Sequence, residues 1–154
     1  MVHRLDRYRF LVYANVVCIY ATIVVGGYVA STSSGLACPD WPTCNGHIIP
    51  VFTTKIIIEY THRLVALLAG VFFLAVTIFT WLRYRAASRL VATVSLGFLL
   101  LVAQILLGMI TVTTSLPPAI VAVHLALATA VFGFALSIAY LAHRLRAESS
   151  LKLE

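Results

Sequence analysis

Five polar residues of this chain stand in apolar sequence, where their side chains could ligate a metal or move a proton. Glu59, His62 and Arg63 belong to the stretch Ile58-Glu59-Tyr60-Thr61-His62-Arg63. Gln104 stands in a later apolar run and His124 in the last one. Ionisable groups are expensive inside a membrane span, about 2.5–3.5 kcal/mol each for Asp, Lys or Arg near the centre, so they are candidates for function by default. Glu59 and His62 are three positions apart and share one face of a helix. A neutral imidazole is a common metal ligand. A carboxylate beside it can accept a proton or stabilise developing positive charge. Outside the apolar runs, Cys38-Pro39-Asp40-Trp41-Pro42-Thr43-Cys44 brings two thiols together in a short loop with two prolines.

The elements that must position these groups are membrane spans. The 154-residue chain is 62% hydrophobic and only 10% charged, against about 25% charged in a soluble domain. Four runs are long enough, at about 1.5 Å per residue, to cross about 30 Å of hydrocarbon. They cover residues 10–30, 56–82, 90–112 and 119–142. The expected fold is all-α and integral to the membrane: a single four-transmembrane-helix bundle over residues 1–154, multi-pass in the plasma membrane and surrounded by lipid. No internal repeat is evident. The net charge of +6 does not imply nucleic acid, because the basic residues flank apolar runs and form no basic face. No cleavable signal peptide is expected, since the first apolar run has span length.

Charge placement orients the bundle. Arg4, Arg7 and Arg9 precede the first span. Arg83, Arg85 and Arg89 lie between the second and third, and Arg144, Arg146 and Lys152 follow the fourth. The loop over residues 31–55 has only Lys55, and the one over 113–118 has no charge. By the positive-inside rule the N and C termini are cytoplasmic and these two loops face outside. Disulfides persist on that side. A Cys38–Cys44 bridge is expected there, the other possibility being two free thiols. Cys18 falls mid-span and reads as a small apolar filler.

Each span carries a stripe of small or polar residues at helical spacing: Asn15, Cys18, Thr22 and Gly26; Glu59, His62, Ala66 and Ala69; Gly97, Leu101, Gln104, Gly108 and Thr111; His124, Ala128 and Ala135. Close packing of membrane helices explains the small residues but not Glu59, His62, Gln104 and His124. Spans 2 and 4 run in the same direction. His62 and His124 each lie about six residues in, so both sit ~8–9 Å below the outer end. Gln104 comes close to the same depth from the opposite direction, and Glu59 lies one turn nearer the outside. Structural zinc takes four ligands, which are not available here. Haem iron needs only one or two axial ligands from the protein. The reading is that His62 and His124 clamp one haem iron, with room for the flat ring beside the alanine stripes and Glu59 next to the macrocycle. Arg63 would pair with a haem propionate or, alternatively, with Glu59. Gln104 would contact the cofactor or bridge helices.

Four stretches together resemble the haem A synthase family. They run from Gly26 through Ser31-Thr32-Ser33-Ser34-Gly35 and the cysteine loop to Gly46, then Ile58 to Arg63, then Gln104 to Val112, then Val123-His124-Leu125-Ala126-Leu127-Ala128. The paired-cysteine loop followed by Glu-x-x-His-Arg is the specific part. The resemblance implies a membrane oxidoreductase that converts the C8 methyl group of haem O to the formyl group of haem A. His62 and His124 match the family's haem-ligand histidines, Glu59 its catalytic glutamate, and Cys38 and Cys44 its loop pair. Haem b, haem O or haem A, with their iron, are the implied cofactors and substrate. Haem O synthase is a possible partner. Familiar members have about eight spans in two similar halves, and this chain resembles the N-terminal half, so self-association into a homo-oligomer is implied.

Two other readings use parts of the same set. A non-catalytic bis-histidine b-type cytochrome needs the histidines and not Glu59. A disulfide-generating quinone reductase needs the cysteines, and normally a second pair.

Overall fold

Apolar runs of this length fold as helices in lipid because every backbone polar group must be satisfied within the segment. The structure, a computed structural model, describes the backbone from Val2 to Leu151 and the side chains from Asp6 to Leu145. It contains α1 (Val2–Ser31), α2 (Thr54–Arg83), α3 (Ser88–Thr113) and α4 (Pro118–Leu151). All four are long and apolar enough to cross a membrane, and no strand occurs among the described residues. The protein is an all-α, multi-pass membrane protein. Of the basic residues used to orient it, Lys152 lies outside the described residues, as do the side chains of Arg4 and Arg146.

The spans read from sequence lie inside these helices. However, α1 starts well before Phe10 and α4 continues well past Ala142. Hydropathy marks where lipid begins, whereas helical hydrogen bonding continues through polar flanks. At α2 the Thr53 side chain accepts from the Ile56 N–H at 3.4 Å as N-cap, and Pro118 opens α4, where a missing N–H costs nothing.

Helices α1 and α3 end in the same way. Ser34 N–H donates to Val29 O (3.0 Å) and Ser33 N–H to Ala30 O (3.2 Å). Leu116 N–H donates to Thr111 O (2.9 Å) and Ser115 N–H to Val112 O (3.0 Å). These paired bonds are Schellman caps, which need a left-handed residue just past the helix. Ser33 (φ 51°) and Ser115 (φ 64°) take that place, where glycine is usual.

The helices form a ring. α1 packs on α2 and α4, and α3 packs on α4 and α2, while the backbones of neither diagonal pair approach closely among the described residues; α2 and α3 have the smallest of the four interfaces. Both loops lie at one end of the ring. The other end carries the termini and the α2–α3 turn. The packed core lies toward the terminal end, around Val12, Phe73, Val76, Val94, Val131, Ala135 and Ile138. Gly97 is required there, since a Cβ would come 2.9 Å from Phe73 Cζ. Tyr8 closes this end. Its hydroxyl bonds Thr80 Oγ1 at 2.7 Å, and its ring stacks on Phe79 at 5.6 Å.

Candidate functional site

Between the core and the loop end, burial stops on all four helices at one level. No residue is buried over 20–28 of α1, 60–68 of α2, 102–110 of α3 or the first part of α4 as far as residue 130. Burial resumes at the loop end with Val29, Glu59 and Thr111. At the helical rise, each nine-residue stretch is a window about 13 Å tall. His62, Ala66, Gln104, Gly108, His124 and Ala128 all fall in it, with Thr22 and Gly26 from α1. None of them is exposed.

The histidines come from the diagonal helices α2 and α4. Each ring reaches a neighbouring helix at a glycine. A Cβ on Gly26 would lie 2.9 Å from His62 Cε1, and one on Gly108 would lie 3.1 Å from His124 Cε1. Gln104 Nε2 donates to His124 Nε2 at 3.4 Å. Buried polar groups are nearly always hydrogen-bonded, yet His62 Nδ1, His124 Nδ1 and Gln104 Oε1 are buried without a partner. Asn15 Oδ1, deeper in the bundle, shares that condition.

This donor set fits haem. No group of three or more His, Cys, Asp or Glu among the described residues could hold a bare ion, whereas haem brings its own equatorial nitrogens. A ligand imidazole also pairs its second ring N–H with an acceptor, and Gln104 would supply one with its amide turned so that the buried, unpaired Oε1 faces His124.

Glu59 closes the loop end of the window. It is 4% exposed and the only buried carboxylate among the described residues. Its Oε1 accepts from Arg63 Nε at 3.1 Å. The rest of the Arg63 guanidinium points into the α1–α2 loop. Nη1 donates to Asp40 O (2.8 Å) and Thr43 O (2.7 Å), and Nη2 donates to Cys38 O (2.6 Å). Four of its five N–H groups are thereby committed. For a propionate this leaves a single N–H and no bidentate fork.

The loop is built to present those carbonyls. Cys38 and Cys44 are fully buried, with Cα atoms 4.5 Å apart and sulfurs at bonding distance. Cys44 and His47 exchange backbone bonds of 2.9 and 3.2 Å around Asn45 (φ 54°) and Gly46 (φ 78°). Two left-handed residues in succession make this a type I′ turn, for which Asn-Gly is the strongest sequence signal. The Asp40 carboxylate accepts from the Thr43 hydroxyl, the Asn45 N–H (2.5 Å) and the Gly46 N–H (2.9 Å). The Thr43 bond, then the backbone N–H of Gly46, holds its pKa down to about 2. Asp40, Thr43 and the Asn45-Gly46 turn were not among the residues singled out from sequence, although the Asn-Gly pair was there to be read. His143 stands on α4 and meets Arg9 Nη2 at 3.1 Å through Nδ1.

The profile of the cytochrome oxidase assembly protein family (COX15-CtaA) matches residues 9–53 and 49–154. A protein of Bacillus licheniformis named Heme A synthase is 38% identical over 105 residues, 66% of this chain and 34% of its own length. One of the same name from Alkalihalophilus pseudofirmus is 36% identical over 107 residues, 70% of this chain and 36% of its own. A Haloarcula marismortui protein named Protoheme IX farnesyltransferase is 34% identical over 131 residues, 84% of this chain and 28% of its own. The chain thus spans about a third of the length of the curated relatives it matches.

Proposed function

Because the chain belongs to the cytochrome oxidase assembly protein family, we propose that it acts as a haem A synthase, oxidising the C8 methyl group of haem O to a formyl group. The observation that carries this reading is the window. Burial lapses at one level on four helices, and two diagonal histidines there have unpartnered ring nitrogens. The names of the bacterial relatives supply the chemistry.

His62 and His124 would hold the haem iron, and Gln104 would orient His124. Bound haem supplies redox-active iron and a conjugated ring. Turning a methyl into a formyl group with water as the oxygen source removes four electrons and four protons, the electrons passing to an external one- or two-electron acceptor, so positive charge builds at that carbon as they leave. Glu59 lies one helical turn, ~4.5 Å along the axis, from His62. Its carboxylate would stabilise that charge or accept a proton. A second, b-type haem would need another histidine pair. We propose that the chain self-associates as a homo-oligomer, in which a second copy would bring its own His62 and His124.

The Cys38 and Cys44 sulfurs at bonding distance support a disulfide, and the basic residues support cytoplasmic termini in the plasma membrane. The Haloarcula protein, by its name, supports a substrate received from an enzyme that farnesylates haem.

The test is to express the chain in cells that make haem O but no haem A, then extract the pigment. Haem A in the extract is the expected result. Haem B alone in the purified protein would reduce the function to that of a b-type cytochrome.

A further inference from the structure

Arg63 meets two things that sequence distance keeps apart. On its own helix it meets Glu59, one turn away, at 3.1 Å. In the preceding loop it meets three carbonyls at 2.6–2.8 Å, those of Cys38, Asp40 and Thr43. All three carbonyls lie within the segment that Cys38 and Cys44 close. Carbonyls in a tight loop ordinarily diverge. Here Asp40 folds the turn back through Thr43, Asn45 and Gly46, and the buried cysteine pair holds its ends together, so that three carbonyls converge on one cation. Only a planar fork with five donors can satisfy this set. An ammonium group has three donors on one atom and cannot span both the carboxylate and the loop.

We propose that Arg63 is a positioning residue that ties the Cys38–Cys44 turn to the Glu59 carboxylate, so that the state of the loop and the placement of Glu59 are coupled. Opening the cysteine pair releases Cys38 O and Thr43 O from their fixed places. The guanidinium then loses its loop partners and no longer holds Glu59 Oε1 in one position. Conversely, an intact loop keeps Glu59 at the edge of the window. The bearing of this on turnover rests on the haem A synthase reading; the coupling itself does not.

The experiment uses the full chain in lipid nanodiscs, loaded with ferric haem, with Cys18→Ala so that only loop thiols report. The rate at which a phosphine reductant opens Cys38–Cys44 is followed by maleimide labelling. Arg63→Gln is expected to open at least about tenfold faster, the factor that about 1.4 kcal/mol represents. Arg63→Lys should open as fast as Arg63→Gln. Glu59→Gln should stay close to the parent rate, because the three loop bonds remain. Arg63→Gln opening at the parent rate, or full rescue by Arg63→Lys, would overturn the proposal. So would loss of haem from Arg63→Gln with unchanged loop opening, which would assign Arg63 to the propionate.

A second measurement needs no Arg63 variant. Infrared difference spectra are recorded on reducing the loop of the parent protein, with Glu59→Gln to identify the carboxylate band. A shift of that band on reduction is expected, and a band that does not move rules out the coupling. Neither readout requires haem O to be converted, so failure here and failure of the synthase reading are separate results.

Discussion

Phe73 and His62 stand three turns apart on the same face of α2, and each ring sits where a neighbouring helix has a glycine. Phe73 fills the notch at Gly97 and His62 the notch at Gly26. Around Phe73 every helix contributes buried apolar side chains, and the ring itself is fully enclosed. Around His62 no residue is buried, and a ring nitrogen has no partner. The same device of close approach therefore serves two ends. Toward the terminal end it produces dense packing, and toward the loops it holds ligating atoms beside a loosely packed stretch. In lipid, helices gain little from hiding apolar surface from one another, so packing and hydrogen bonds hold the bundle. The terminal half holds the four helices together, which lets the other half forgo tight packing and keep its polar atoms free.

Histidine removal should divide the two halves most sharply. His62→Ala and His124→Ala are each expected to abolish the low-spin bis-histidine absorption of haem-loaded protein, while His47→Ala leaves it intact. An unaltered spectrum from purified His124→Ala would refute the ligand assignment. Phe73→Ala is the converse. It should retain haem ligation but lower resistance to unfolding by roughly 2–3 kcal/mol, mainly the cavity term, since the transfer term fades in lipid. Steric trapping or SDS unfolding would measure this, and a loss no larger than that of His124→Ala would mean the terminal half is not the anchor.

Glu59→Gln keeps size and hydrogen bonding and removes the charge. Haem should remain bound while conversion of haem O falls at least tenfold, about 1.4 kcal/mol of transition-state stabilisation. Wild-type pigment levels would leave Glu59 only its bond to Arg63. Smaller still is Ser115→Gly, which should raise stability by about 1 kcal/mol because glycine bears the left-handed conformation without penalty. No gain in the same unfolding assay would show that the cap does not strain the serine.

The folded pKa of Asp40 lies near 2, below its ordinary 3.8, so its contribution to loop order is present above about pH 4 and is lost as pH falls toward 2. Amide exchange at Gly46 should quicken over that window in wild-type protein and show no such step in Asp40→Asn.

Helix count and helix faces were legible in the sequence because period and apolar length are local properties. No residue of the four stripes read from it proves exposed. The shared depth of His62 and His124 was legible too, since helical rise converts position into depth. The partners of Arg63 were not. Three of them are backbone carbonyls, which every residue has, and only the three-dimensional course of the loop makes them converge. The window was equally hidden, because burial at His62 depends on how four helices pack and no single segment encodes it. The Schellman serines carry no sequence signal for a related reason: such caps are usually marked by glycine.

The order in which the chain emerges during synthesis gives another meaning to the tie that Arg63 makes between Glu59 and the Cys38–Cys44 loop. All of its parts lie between Cys38 and Arg63, so it closes over a short loop at low entropic cost. It can be complete once α2 has formed, with both charges already paired, before α3 or α4 exists. The histidine pair cannot form until His124 arrives on the last helix. The nascent protein would therefore carry a finished, charge-neutral rim while its ligating centre is still incomplete, and a ring held by two histidines can be gripped only once α4 has joined the bundle.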